Sequence, residues 1–109
     1  MNKIFLVILA FISINLNAQI EKNAKKFTDE MTTVMELSQE ESAELYEMNL
    51  NRLKELREIR NENKDMDKDE LKKLVQPIQK KYSKELRVMV GNEKMEKWKD
   101  YRKEKKAKQ

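Results

Sequence analysis

The 109-residue chain carries 24 Lys and Arg against 20 Asp and Glu, a formal net charge of +4, and contains neither Cys nor His. This basic excess is too small to indicate nucleic acid as a partner. Without Cys and His, the chain forms no disulfide and lacks the usual protein ligands of zinc, nickel and Cu(II). No Gly-rich phosphate loop, Ser nucleophile elbow or nucleophile–base pair occurs in the sequence either. We therefore predict a protein that is not an enzyme and binds no cofactor, metal or nucleic acid.

The amino-terminal segment has the order of parts found in an export signal. Lys3 supplies a positive charge, an apolar run follows over 4–14, and Leu16 and Ala18 stand at the minus-three and minus-one positions of a cleavage site before Gln19. The apolar run is well short of the about 20 residues that a membrane anchor needs. We predict that the first 18 residues are a cleaved signal peptide and that the chain is exported without a stable membrane anchor.

The first predicted helix of the mature chain runs from about 20 to 37. Its apolar residues recur at spacings of three and four and form one narrow stripe, namely Ile20, Ala24, Phe27, Met31, Val34 and Met35. Met31 and Met35 lie one turn apart and could offer thioethers to Cu(I). Their favoured interpretation is flexible core residues.

The second predicted helix runs over about 39–62. Ser38 and Glu41 have the spacing of a capping box at its start. Its apolar stripe is broader than the first, and consists of Leu45, Tyr46, Met48, Leu50, Leu53, Leu56 and Ile59. Asn49 and Arg60 fall on the apolar side, where they either pair with a neighbour and fix the helix register or lie at the stripe edge and reach water. The polar segment 61–65 predicts a loop.

The third predicted helix, over about 68–90, gives the clearest amphipathic signal. Asp67 and Glu70 repeat the capping-box spacing at its start. Its apolar residues stay within about 60° of one line at 100° per residue, and are Leu71, Leu74, Val75, Ile78, Tyr82, Leu86 and Met89. Pro77 lies inside the helix, where we expect a kink without a break because the stripe continues in phase on both sides.

The fourth predicted helix, over about 93–104, is short. Gly91 ends the third helix, and Asn92 is expected to cap the fourth because a glycine has no side chain for this role. The apolar contacts of this helix are Met95, Trp98 and Tyr101. The Lys-rich tail from Lys103 onward is expected to fray.

A basic stripe on the third helix is the candidate partner surface. Lys73, Lys80, Lys84 and Arg87 lie within about 40° of the direction opposite the apolar stripe. A run of charge is usually only a solvated face. The functional interpretation is a surface that holds partly unfolded chains loosely, because long Lys and Arg stems also offer apolar contact.

Two helix-start segments stand in a recognisable arrangement. Residues 37–41 (Leu-Ser-Gln-Glu-Glu) precede the second predicted helix, and residues 90–94 (Val-Gly-Asn-Glu-Lys) precede the fourth. Together with the signal peptide, the size and the helix order, they resemble the two Leu-Thr-x-x-Gln motifs of the Spy/CpxP-like family of periplasmic proteins. The resemblance extends from about Phe27 to Arg102.

The resemblance implies a periplasmic four-helix chain that pairs antiparallel into a curved, cradle-like homodimer. Some members of the family hold unfolded clients without ATP, and others damp an envelope-stress sensor kinase. Relatives bind zinc or other metals. Here the remaining candidates for a hard cation are Asp65, Asp67, Asp69 and Glu70, which lack both EF-hand spacing and a loop glycine, so we assign no metal.

Size also favours a homodimer. Removal of the signal peptide leaves 91 residues in a single helical domain over 19–109, and 40% of the full chain is charged. Below roughly 70–80 residues a single core rarely supplies more than a few kcal/mol, and this domain is only just above that limit. The predicted fold is therefore all-α, with four helices in a Spy/CpxP-like hairpin chain that dimerises. The leading hypothesis is a periplasmic holdase for unfolded or stress-exposed proteins; the alternatives are a regulatory module docking on the sensor domain of an envelope-stress kinase, or a structural protein without a client.

Overall fold

The computed structural model describes the backbone of residues 2–108 and the side chains of residues 17–108. The chain forms four α-helices, α1 (Asn2–Met35), α2 (Gln39–Glu62), α3 (Lys68–Val90) and α4 (Asn92–Ala107). No strand occurs within residues 2–108. The prediction of an all-α fold with four helices is confirmed.

The bounds of α1 and α4 differ from the predicted ones. The first helix ends at Met35, before the predicted 37. The fourth helix continues to Ala107, so the expected fraying from Lys103 is wrong. Lys105 donates hydrogen bonds of 3.3 and 3.2 Å to the carboxylate of Glu30 on α1, which holds the tail against the bundle. Basic residues in a last helical turn also interact favourably with the helix dipole.

The predicted signal peptide falls largely outside the described side chains. Its apolar run over 4–14 lies in the part of α1 whose side chains are not described, and cleavage before Gln19 stays a prediction. Within the described residues, none of the helices combines the length and the apolar character needed to span a membrane.

The helices are arranged in a ring in which each one packs on two others. α1 and α3 each pack on α2 and α4, whereas among the described residues the backbones of α1 and α3, and of α2 and α4, do not approach each other closely. Thr32 contacts Ser42 at 2.8 Å and Thr28 contacts Asn49 at 2.9 Å, so α1 and α2 run antiparallel.

The core lies at the end of the bundle where α1 turns into α2 and α3 turns into α4. All four helices contribute to its buried cluster, which consists of Met31, Met35, Leu45, Leu86, Val90, Met95 and Trp98. Met31 and Met35 are 2% and 0% exposed, so their thioethers fill this core. Towards the other end, near the α2–α3 loop, burial weakens: Ile78 is 9% exposed and Leu74 is 42% exposed.

The capping box at the start of α2 is present. The backbone N–H of Glu41 donates to Ser38 Oγ, and the backbone N–H of Ser38 donates to Glu41 Oε1, each at 3.1 Å. Lys94 Nζ on α4 lies 3.1 Å from the same carboxylate oxygen. The hydrogen bond with Ser38, and to a smaller degree the contact with Lys94, holds the pKa of Glu41 below its usual value. This cap therefore also ties α2 to α4.

The predicted side-chain caps of α3 and α4 are wrong. Asp67 does occupy the N-cap position of α3, but its side chain makes no capping hydrogen bond, so the Asp67–Glu70 capping box is not closed from this side. Asp67 is exposed, and water can satisfy its carboxylate. Asn92 is the first residue of α4, and Gly91 is the N-cap.

Gly91 closes one helix and opens the next through its backbone alone. Its N–H donates to the Arg87 carbonyl at 2.9 Å, and its own carbonyl accepts from the Met95 N–H at 3.2 Å. Its dihedral angles, φ 88° and ψ 165°, lie in a region that essentially only glycine adopts. The glycine conformation, and not an Asn92 side chain, therefore makes the tight α3–α4 connection.

The two polar residues on the apolar side of α2 differ in burial and in contacts. Asn49 is 4% exposed, and its Nδ2 donates to Thr28 Oγ1 at 2.9 Å. Arg60 is exposed, which agrees with a position at the edge of the apolar stripe. Pro77 is also exposed, and α3 continues through it without a break.

Candidate functional site: a basic face on the third helix

The structure places all four predicted site residues on one exposed face of α3. α3 turns Ile78, Leu86 and Val90 inwards, where they are buried. Opposite these residues lie the exposed basic residues Lys73, Lys80, Lys84 and Arg87, which we call the basic face. At 1.5 Å per residue the face extends over about 21 Å of helix. Its four cations therefore form one row.

Polar contacts with α2 add to this apolar packing in setting the rotation of α3. Tyr82 Oη donates to Glu55 Oε2 at 2.9 Å, and Lys81 Nζ lies 3.1 Å from the same oxygen. Burial, and then the hydrogen bond to Glu55, raise the pKa of Tyr82 to about 12. Tyr82 thus holds one side of α3 against α2, and the basic face lies on the opposite side.

The basic face is not neutralised by neighbouring carboxylates. Within the described residues, none of its four side chains makes a hydrogen bond or an ion pair. Other lysines are paired across helices, as Lys97 is with Glu36 and Lys105 with Glu30, at 3.1 and 3.2 Å. Paired lysines stabilise the contacts between helices, whereas the unpaired row on α3 keeps its charge available to a partner.

Two apolar residues extend the basic face and were missed in the sequence. Val88 is 87% exposed, and it follows Lys84 by one turn. Pro77 is exposed and follows Lys73 by one turn. The helix periodicity of the sequence could have shown this for Val88, because at 100° per residue it lies only about 60° from Lys73 around the helix. A single exposed valine is ordinary, but here it adds apolar surface to a row of cations.

The side chains of the basic face are suited to binding a partner. It carries ammonium and guanidinium groups, their aliphatic stems, and the apolar Pro77 and Val88. No group of three or more carboxylates that could hold a metal ion occurs in the part of the chain that the structure describes. Such a surface attracts acidic segments by charge and offers them weak apolar contact.

Comparison with known proteins adds no relative: the chain matches no family model, no curated protein and no solved structure.

Proposed function

We propose that the protein is an exported, ATP-independent holdase that binds unfolded or stress-exposed proteins in the periplasm and has no enzymatic activity. The observation that carries the proposal is the unpaired basic face of α3 with exposed Pro77 and Val88 beside it. Unfolded chains expose carboxylates and apolar side chains together, and this face meets both with long, flexible side chains. The resemblance of the sequence to the Spy/CpxP-like family supports the same function.

We further propose that the working form is an antiparallel homodimer. In the amino-terminal half of α3, Leu71 and Val75 are half-buried and Leu74 is 42% exposed. A second copy of the chain would cover these side chains, and each buried methylene contributes about 0.8 kcal/mol. Two basic faces would then lie on one particle, so a client could contact both at once.

The test of the proposed function is charge reversal on the basic face. A variant with Lys73, Lys80, Lys84 and Arg87 all changed to Glu removes no buried contact, because all four are exposed. It should keep its helicity and lose its ability to suppress aggregation of a denatured client enzyme. The parent's protection should also weaken with salt, because exposed charges are screened over about 10 Å at 0.1 M.

A matched control distinguishes the effect of where the charges lie from the effect of the net charge. Changing Lys22, Lys26, Lys64 and Lys103 to Glu makes the same charge change at four exposed residues away from the basic face. This control should protect the client as well as the parent does. If the control loses protection to the same degree, net charge alone explains the effect. If both variants protect fully, the basic face is only a solvated surface, and crosslinking in the cell envelope would then test docking on a sensor kinase.

A further inference from the structure

A cavity of about 270 Å³ lies between the four helices, in the space where α1 and α3 do not meet. Its lining includes the buried apolar side chains of Met31, Leu45 and Trp98. Its mouth includes Ser83 and Arg102, which are exposed. The cavity thus combines apolar and polar groups in its lining, with Asn49 and Arg52 among the polar ones, as small-molecule sites do.

Arg52 extends from α2 into this cavity and is only partly satisfied there. Its Cζ lies 4.8 Å from the centroid of the Phe27 ring, and its Nη1 donates to Gln79 Oε1 at 3.3 Å. Its Nε is buried and has no hydrogen-bond partner among the described residues. A buried donor without a partner is costly and rare in folded proteins, so the hydrogen-bonding capacity of the Arg52 head group is not used up by the chain itself.

The charge around Arg52 is also unbalanced. Arg102 on α4 lines the same cavity, and none of the lining residues is acidic. Arg52 makes no ion pair with any described residue. Burial, and then the charge of Arg102, lower the pKa of Arg52. Two guanidinium groups therefore face one cavity without a counter-charge.

We propose that this cavity binds a small organic anion, with its carboxylate held by Arg52 and Arg102 and its aromatic or short aliphatic body against Phe27 and Trp98. The guanidinium fork matches the two oxygens of a carboxylate, and an anion there supplies the counter-charge that the cavity lining lacks. The edge-to-face pair of Phe27 and Trp98, with ring centroids 5.6 Å apart, forms the apolar wall. This site is separate from the basic face on α3 and does not depend on the holdase proposal.

The test uses Trp98, the only tryptophan of the chain, as the reporter. The full mature chain is titrated with 3-phenylpropionate, and both Trp98 fluorescence and the heat of binding are followed. Two controls divide the ligand into its parts: 3-phenylpropanol keeps the aromatic body without the charge, and acetate keeps the charge without the body. We expect saturable binding of 3-phenylpropionate and much weaker binding of both controls. No binding of 3-phenylpropionate, or equal binding of the alcohol, would overturn the proposal.

Variants test the two arginines separately. Arg102→Met alters an exposed residue, and Arg52→Met keeps the length of a buried stem while removing the unpaired Nε. Each should weaken 3-phenylpropionate binding by about tenfold or more, because hydrogen bonds to charged groups contribute at least that factor. Arg60→Met, which changes an exposed arginine of the same helix α2, is the matched control and should bind like the parent. If Arg52→Met does not fold, Arg52→Lys replaces it. Unchanged binding in both the Arg52 and the Arg102 variants would overturn the site.

Discussion

Asn49 Nδ2 donates a hydrogen bond of 2.9 Å to Thr28 Oγ1, which joins α2 to α1 inside the bundle. Both residues are nearly fully buried, at 4% and 3% exposure. Thr28 Oγ1 in turn donates to the Ala24 carbonyl at 2.7 Å, so its proton is already used when it accepts from Asn49. This chain of two hydrogen bonds permits only one register between α1 and α2, because sliding either helix would leave buried polar groups without partners.

A double-mutant cycle tests this register contact. Asn49→Ala should destabilise the protein by about 2 kcal/mol, from a lost hydrogen bond and a small cavity. Thr28→Val removes the acceptor while keeping the shape of the side chain. Because the two residues act as one unit, we expect a coupling free energy of about 1 kcal/mol in urea unfolding. Strictly additive losses would contradict the contact.

Substitutions in the apolar stripe of α3 should have two different effects, depending on whether the residue is buried within one chain or exposed. Ile78, at 9% exposure, is buried within one chain, so Ile78→Asp should cost about 3 kcal/mol or more through an unpaired buried charge and lower the melting temperature at every protein concentration. Leu74, at 42% exposure, is covered only if a second copy packs there. Leu74→Asp should therefore leave a folded chain but shift sedimentation from dimer to monomer.

The outcomes for these two positions separate fold from assembly. If Ile78→Asp keeps the helicity and the melting temperature of the parent, the inward orientation of α3 is wrong. If Leu74→Asp sediments like the parent, this surface is not the dimer contact. A parent that sediments as a stable, cooperatively folded monomer at micromolar concentration would contradict the dimer altogether.

Glu41 should make the stability of the bundle depend on acidic pH. Its hydrogen bond from Ser38 and its contact with Lys94 lower its pKa from the usual 4.5. A carboxyl whose pKa is lowered on folding contributes stability above its unfolded pKa and loses it as the pH falls through the folded pKa. The melting temperature of the parent should therefore fall as the pH drops below 4.5 and through the lowered pKa of Glu41.

Glu41→Gln is the variant that isolates this effect. Glutamine still offers an oxygen to the Ser38 N–H but carries no charge, so the variant should be less stable than the parent at neutral pH and approach it in acid. Glu40→Gln changes the neighbouring exposed carboxylate, which makes no hydrogen bond among the described residues, and serves as the control. Parallel pH profiles for the parent and Glu41→Gln would show that the cap charge is unimportant.

Gly91 should tolerate no side chain, whatever its size. An added Cβ would meet no atom within 4 Å, so there is no steric obstacle, but φ is +88°. Gly91→Ala should cost about 1–3 kcal/mol through backbone strain alone. Gly91→Ser should cost a similar amount, because the strain arises at Cβ and not beyond it. A free energy of unfolding that is unchanged in both variants would mean that the α3–α4 connection adopts another conformation.

The sequence by itself determined the features that repeat with the helix. Apolar spacing of three and four predicted four helices, and the bounds of α2 and α3 agree with the structure because each begins or ends at a clear change of pattern. The Ser38–Glu41 capping box was predictable because its partners are three residues apart. The basic face was predictable for the same reason, since the helix geometry fixes the angle between Lys73 and Arg87 without any neighbour.

Only the tertiary structure decided which of the similar residues on a helix face find a partner. Asn49 and Arg60 lie on the same side of α2, yet only Asn49 meets a buried acceptor, on a residue 21 positions away in the sequence. Arg52 looked like any other arginine until the packing of α1, α3 and α4 enclosed it in a cavity without an acid. Local periodicity gives the direction of a side chain from its own helix axis, but the partner it meets depends on how separate helices pack, and that is set by contacts that are distant in the sequence.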